Sequence, residues 1–216
     1  MRLYPASAPD APLLVLGHGA GAGHDHPWMQ RVAQGLADRG VHVVTFDFPY
    51  KARKKSVPDP GPVLEAAFAE VWASGIDAVR AQTGKLPARV FAGGKSMGGR
   101  ISSQAAAKAL FTPGASGLVF FGYPLHPPGK PAQRRDAHLP SIAAPMLFFH
   151  GTRDPFGTPD EMQALVAGLP GATLDLIDGG DHSLVRPKSQ DKNGRAIEDV
   201  LDRAAAWMVE VRGGQS

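Results

Sequence analysis

The chain has 216 residues, 43% of them hydrophobic and 20% charged, which supplies one sizeable core and points to a single domain over residues 1–216. It contains no cysteine, so disulfides, thiolate metal sites and cysteine nucleophiles are excluded, and any covalent catalyst must attack through oxygen or nitrogen. With 23 Lys and Arg against 20 acidic residues, the surplus is too small for the concentrated basic face of a nucleic-acid binder. No apolar run approaches the ~18 residues of a membrane span, and Met1 to Asp10 lacks a signal peptide's apolar stretch, so the expected location is the cytoplasm.

In chain order, the apolar run Leu13 to Leu16 predicts the first buried strand, and it ends in Gly17-His18-Gly19-Ala20-Gly21-Ala22-Gly23. Small residues there let backbone N–H groups approach a substrate oxygen, which makes the N–H of Ala20 a candidate oxyanion donor. A dinucleotide-phosphate loop is the rival reading, but the glycine spacing is not G-x-G-x-x-G leading straight into a helix. His24-Asp25-His26 follows; with no cysteine and no second ligand cluster at a familiar spacing, these read as loop or helix-start residues, and no metal is assigned. A helix is predicted over Trp28 to Arg39, a strand over Val41 to Phe48, a basic and then proline-rich loop over Lys51 to Pro62, and a helix over Val63 to Gln82.

The strand Arg89 to Ala92 then runs into Gly94-x-Ser96-x-Gly98, with a helix of small residues predicted over Gly98 to Leu110. A serine on a sharp turn between strand and helix, flanked by glycines where a side chain would collide, is the context of a nucleophile elbow. The N–H of Met97, at the helix start, is the second candidate oxyanion donor beside Ala20. Leu118 to Phe121 and Met146 to His150 are further strands, separated by a loop with five prolines over Pro124 to Pro140; the second strand delivers Asp154 in the loop that follows. After a helix at Pro159 to Ala167 and a strand at Thr173 to Ile177, His182 lies in the glycine-rich loop Gly179-Gly180-Asp181-His182, and a helix over Arg195 to Arg212 closes the chain. A serine nucleophile needs a base, and the base an acid to fix its tautomer; Ser96, Asp154 and His182 fall in that order on three separate post-strand loops, the chain order of an α/β-hydrolase triad. Asp178 and Asp181 rank below Asp154, because an acid so close in sequence does not easily reach the far ring nitrogen.

Strand and helix alternate throughout, which predicts an α/β fold: a mostly parallel sheet with helices on both faces and ligands beyond the carboxyl ends of the strands. The sequence resembles the α/β-hydrolases, and more narrowly the small dienelactone-hydrolase-like group. The resemblance rests on Gly17 to Gly21, Phe46-Asp47-Phe48-Pro49-Tyr50, the run from Gly93 to Arg100, Gly122-Tyr123-Pro124-Leu125-His126, and Asp181-His182-Ser183-Leu184. It implies Ser96 as nucleophile, His182 as base and Asp154 as acid, no cofactor, and a small ester, thioester or lactone as substrate. Dienelactone hydrolases proper use a cysteine, which is absent here. Eukaryotic proteins similar to this group include subunits of a chromatin-modifying complex, so the alternative is a non-catalytic binding or scaffold protein on the same shell.

Several basic residues fall on loops at the expected site edge. Lys95, Arg100, Lys51 and Arg53 are candidate entrance charges, with Lys130, Arg134, Arg135, Arg153, Arg186 and Lys188 on neighbouring loops. Such a ring favours anionic substrates. His18 and His150 end apolar strands and read as satisfied structural histidines, and Trp28, Trp72 and Trp207 as packing residues. A chain of this length leaves no room for a cap domain, and nothing in it specifies an oligomeric state.

Overall fold

A computed structural model describes residues 1–211. The strands are β1 (Arg2–Tyr4), β2 (Leu13–Gly17), β3 (His42–Thr45), β4 (Val90–Lys95), β5 (Gly117–Phe121), β6 (Met146–Gly151) and β7 (Ala172–Ile177). They form one sheet in the order β1-β3-β2-β4-β5-β6-β7, in which only the β1–β3 pairing is antiparallel. The helices are α1 (Pro27–Ala37), α2 (Pro49–Ala52), α3 (Gly61–Thr83), α4 (Met97–Ala107), α5 (Pro159–Ala167) and α6 (Arg195–Glu210), with a 3₁₀ turn at Leu139–Ser141. Among the described residues this is a single α/β domain with helices on both faces of the sheet and no cap. Among the described residues no helix is long and apolar enough to cross a membrane.

The central strands are buried along their whole length because both faces are covered, and hence they read as continuous apolar runs rather than alternating ones. On one face α1 and α6 cover Leu14, Leu16, Val119, Phe121 and Phe149; on the other α3, α4 and α5 cover Leu13, Val15, Ala92, Phe120 and Phe148. Trp72 stacks on Phe111 at 4.4 Å and half-buried Trp207 packs against Phe91 at 5.7 Å, so these two tryptophans are packing residues as expected.

The structure departs from the sequence reading at the element ends. The strand expected over Val41 to Phe48 pairs only at His42–Thr45; Phe46 and Phe48 are buried, but by aromatic packing beyond the ladder. The stretch Lys51 to Pro62 is not all loop, because Pro49 starts the one-turn α2 and Pro62 stands in the first turn of α3. β1 was not expected: it is three residues long, and only Tyr4 is buried. The helix foreseen to Arg212 is described to Glu210, and Arg212 lies outside the described residues.

Register brings the functional loops together. Gly17 pairs with Gly94, Lys95 with Phe121, Phe121 with Phe149 and Gly151 with Ile177, so β2, β4, β5, β6 and β7 end level along one edge. Two glycines permit the tightest part of this arrangement. A Cβ on Gly98 would lie 2.1 Å from the Gly17 carbonyl oxygen, and one on Gly94 would lie 2.5 Å from the same atom. Backbone cannot yield cheaply on both sides of that contact, so Gly98→Ala is expected to cost about 3 kcal/mol or more, read as a shift of the urea midpoint. Gly114→Ala, where a Cβ meets nothing within 4 Å, is the control and is expected to stay within about 0.5 kcal/mol. Similar midpoints for the two variants would show that α4 does not need this close approach.

Candidate active site

A cavity of about 580 Å³ opens at the carboxyl edge of the sheet, lined among others by Gly19, Ala20, Trp28, Asp59, Lys95, Ser96, Met97, Arg100, Pro124, Arg135, Phe156 and His182. Much of its lining comes from the loops after β2, β4, β5, β6 and β7, as the level strand ends require, with Asp59 added from the segment after β3 and Trp28 from α1.

Ser96 has φ +52° and ψ −116°, between the last residue of β4 and the first of α4. A non-glycine residue there is strained, and the surroundings hold it: its N–H donates to the Phe121 carbonyl at 3.2 Å and its carbonyl accepts the Arg100 N–H at 3.1 Å. Asp154, 5% exposed, accepts from His182 Nδ1 at 2.7 Å through Oδ2 and from the Phe156 N–H at 2.9 Å through Oδ1. A carboxylate only accepts, so this pair places the proton of His182 on Nδ1 and leaves Nε2 with a lone pair. Phe156 stacks on the imidazole at 4.2 Å. Gly122, at φ +69°, gives the histidine loop its room, since a Cβ there would lie 2.6 Å from the His182 carbonyl oxygen. Ser96 and His182 share the cavity, and among the described residues no hydrogen bond joins the Ser96 hydroxyl to the imidazole.

The two candidate oxyanion donors sit on either side of Ser96. A Cβ on Gly19 would be 3.7 Å from Ser96 Cβ, which sets the β2 loop directly against the serine. His18 holds that loop: its Nδ1 bonds the Gly19 carbonyl at 2.8 Å and its Nε2 accepts the Phe48 N–H at 3.1 Å. A trans peptide points its C=O and N–H in opposite directions, so fixing the Gly19 carbonyl also aims the Ala20 N–H. The Tyr50 hydroxyl, with its pKa raised to about 12 chiefly by burial, donates to the Ala20 carbonyl at 2.8 Å. Among the described residues neither the Ala20 nor the Met97 N–H donates to a protein acceptor. Burial also lowers the pKa of His18, consistent with a neutral ring satisfied on both nitrogens.

His150 fits its expected role only in part. Its Nε2 bonds the Gly157 carbonyl at 2.8 Å, but Nδ1 has no partner and lies 3.7 Å from Asp154 Oδ2. Asp178 is exposed, and Asp181 accepts the Ser183 and Val185 N–H groups at 2.7 and 3.1 Å, so neither joins the Asp154–His182 pair. His26 caps α1 by accepting the Trp28 N–H at 3.2 Å. Among the described residues no group of three or more His, Asp or Glu side chains is placed to hold a metal.

The candidate entrance charges divide. Lys95 and Arg100 line the cavity, whereas Lys51 and Arg53 do not. The Lys51 ammonium lies by the Gly21 carbonyl at 3.5 Å, and Arg53 is neutralised by Asp59 at 2.6 Å. The Lys95 ammonium is also not a free entrance charge: it donates to the His182 carbonyl and lies 5.8 Å from the Trp28 ring centroid. Trp28, expected as packing, thus belongs to the site, and its Nε1 donates to the Ser183 carbonyl at 3.0 Å. Arg135, read from the sequence as one of the basic loop residues around the site edge, lines the cavity, whereas Phe156 was not singled out by sequence. Phe156 carries no sequence signal beyond its place two residues after Asp154.

Lys95 carries a pH signature. Burial lowers its pKa from the usual lysine value to about 8, against the opposing pull of Asp154 and Asp181. The folded protein therefore binds fewer protons here than the unfolded chain between about pH 8 and 10.5, and this residue's contribution to stability rises with pH across that window. The stability of Lys95→Met relative to the native protein is expected to be most favourable below pH 8 and to decline toward pH 10.5. Parallel urea series at pH 7 and pH 10 check this, and a constant difference would refute it.

A mostly parallel sheet with a strained serine between strand and helix, and an Asp–His pair over the same edge, has the architecture of the α/β hydrolases. The chain belongs to the family described as an alpha/beta hydrolase domain, which matches residues 10–211. No curated protein matches it by sequence. Among solved structures it is similar to a dienelactone hydrolase from Anabaena variabilis (TM-score 0.69, 19% identity, covering 96% of this chain and 88% of that one). It is also similar to an α/β serine hydrolase without lid from Xanthomonas campestris (0.66, 17%, 94% and 86%), and to a monoacylglycerol lipase from Paleococcus ferrophilus (0.63, 18%, 94% and 97%). These likenesses extend over nearly the whole chain and show that it shares the fold of these small hydrolases.

Proposed function

We propose that residues 1–216 act as one serine hydrolase unit that cleaves a small carboxylic ester, thioester or lactone. The observation that carries this reading is the 2.7 Å hydrogen bond between buried Asp154 and His182 in the cavity that also holds the strained Ser96. Ser96 Oγ attacks the acyl carbon while His182 Nε2 takes its proton. Asp154 orients the ring and stabilises the imidazolium. The N–H groups of Met97 and Ala20 receive the developing oxyanion. Return of the proton to the leaving oxygen or sulfur gives an acyl-Ser96 ester, and water activated by His182 then releases the acid. No step calls for a cofactor. The cavity volume fits a small molecule, and the arginines in its wall favour an anionic one.

The test is incubation with a fluorophosphonate probe, peptide mapping of the adduct, and turnover of a panel of p-nitrophenyl esters graded by acyl length. An adduct on Ser96 together with ester turnover is expected. No adduct and no turnover across the panel would favour the binding or scaffold reading instead.

A further inference from the structure

Most charged groups near the cavity are committed to protein partners. Asp59 is taken by Arg53, the Lys95 ammonium by the His182 carbonyl, and Arg134, beside the site, by Asp136. Arg100 and Arg135 are the exceptions. Arg100 lies one helical turn after Ser96 on α4; its Nη1 bonds Gln104 Oε1 at 3.2 Å, and its Nε is buried without a partner. Arg135 reaches the same cavity from the loop after β5. The backbone of Arg135 is pinned on both sides: its N–H donates to the Leu125 carbonyl at 2.8 Å, and its carbonyl accepts the hydroxyl of buried Tyr123 at 2.8 Å. Neither guanidinium has a carboxylate within salt-bridge distance among the described residues. Burial, and next the charge of Arg135, disfavour the charged form of Arg100 against a smaller opposing pull from Tyr123 and Glu65, as expected of two like charges facing one space with no carboxylate in direct contact.

Two guanidiniums held on rigid backbone, one with an unsatisfied buried donor, form a fork suited to a planar anion. We propose that Arg100 and Arg135 form a carboxylate subsite, and that the preferred substrates are half-esters or half-thioesters of short dicarboxylic acids, their free carboxylate on this pair and their acyl carbon at Ser96. Ser96 immediately precedes α4 and Arg100 stands in its first turn on the wall of the same cavity, so a chain of a few carbons is the span the subsite is proposed to accept. The reacting half of this assignment rests on the hydrolase reading above; the anion-binding half does not.

The experiment compares the p-nitrophenyl half-ester of glutaric acid with p-nitrophenyl hexanoate, a neutral ester of similar length. It also titrates glutarate, and separately inorganic phosphate, into Ser96→Ala protein by calorimetry. kcat/KM is expected to favour the half-ester by about tenfold or more, with the ratio falling toward one in Arg100→Gln and in Arg135→Gln. Arg135 is half-exposed on a loop, so its variant tests the proposal even where Arg100→Gln fails to fold. Glutarate is expected to bind Ser96→Ala protein more tightly than phosphate, and to be lost on adding Arg135→Gln. Turnover of the neutral ester with no preference for the half-ester, or a ratio unchanged in both variants, overturns the subsite and leaves the hydrolase intact. Glutarate binding that depends on Arg135, with no turnover of either ester, keeps the subsite and overturns the hydrolase. Phosphate binding more tightly than glutarate overturns the assignment to carboxylates.

Discussion

Ser96→Ala is expected to lower kcat for any ester the protein turns over by about 10⁴-fold or more and to abolish fluorophosphonate labelling, with little change in stability. That loss is about 5 kcal/mol of transition-state stabilisation, because alanine offers no oxygen to form the acyl bond while Ala20, Met97 and the cavity remain. Stability is retained because the backbone bonds at position 96 run through its N–H to Phe121 and through its carbonyl to Arg100, neither of which needs the side chain. Ser96→Gly separates chemistry from strain. It loses activity equally, but relief of the positive φ outweighs the greater freedom of the unfolded chain, for a net gain of about 1 kcal/mol. Retained labelling in Ser96→Ala would remove Ser96 as nucleophile, and a destabilised Ser96→Gly would remove the argument that the turn is strained.

The parts of the site legible in the sequence are those fixed by backbone constraints. Gly94 and Gly98 flank Ser96 because β2, β4 and α4 leave no space for a Cβ, and that packing demand is written directly as residue type. Asp154 and His182 could be placed because parallel strands of similar length end level, so residues just beyond three separate apolar runs converge. Side-chain direction was not legible. Lys51, Arg53, Lys95 and Arg135 all read as basic loop residues, yet Arg53 turns to Asp59, Lys51 and Lys95 turn to the Gly21 and His182 carbonyls, and Arg135 joins Arg100 in the cavity wall. Those choices depend on neighbours far apart in sequence, as does the indole of Trp28, whose acceptor is 155 residues away. β1 escaped for a different reason: an edge strand with a single buried residue leaves no periodic trace.

Asp154→Asn is expected to reduce kcat by roughly 10⁴-fold while leaving the protein folded, because the substitution reverses a tautomer rather than removing a contact. The carboxylate accepts twice, from Phe156 N–H on Oδ1 and from His182 Nδ1 on Oδ2. An asparagine has one oxygen for these two donors. If the oxygen serves His182, its NH₂ is pressed against the Phe156 N–H, donor against donor. If the oxygen serves Phe156, the NH₂ occupies the Oδ2 position, where it can donate to His182 Nδ1 and also faces the unpartnered His150 Nδ1, 3.7 Å away in the native protein. The second arrangement satisfies every group, and is therefore the one adopted. It puts the His182 proton on Nε2, the nitrogen that must accept from Ser96, so the base is lost with the ring still in place. The check is kcat on the best ester together with the thermal midpoint of the variant. A loss under tenfold in a folded protein would mean that another carboxylate orients the histidine, and Asp181, one residue away, would be the next to test.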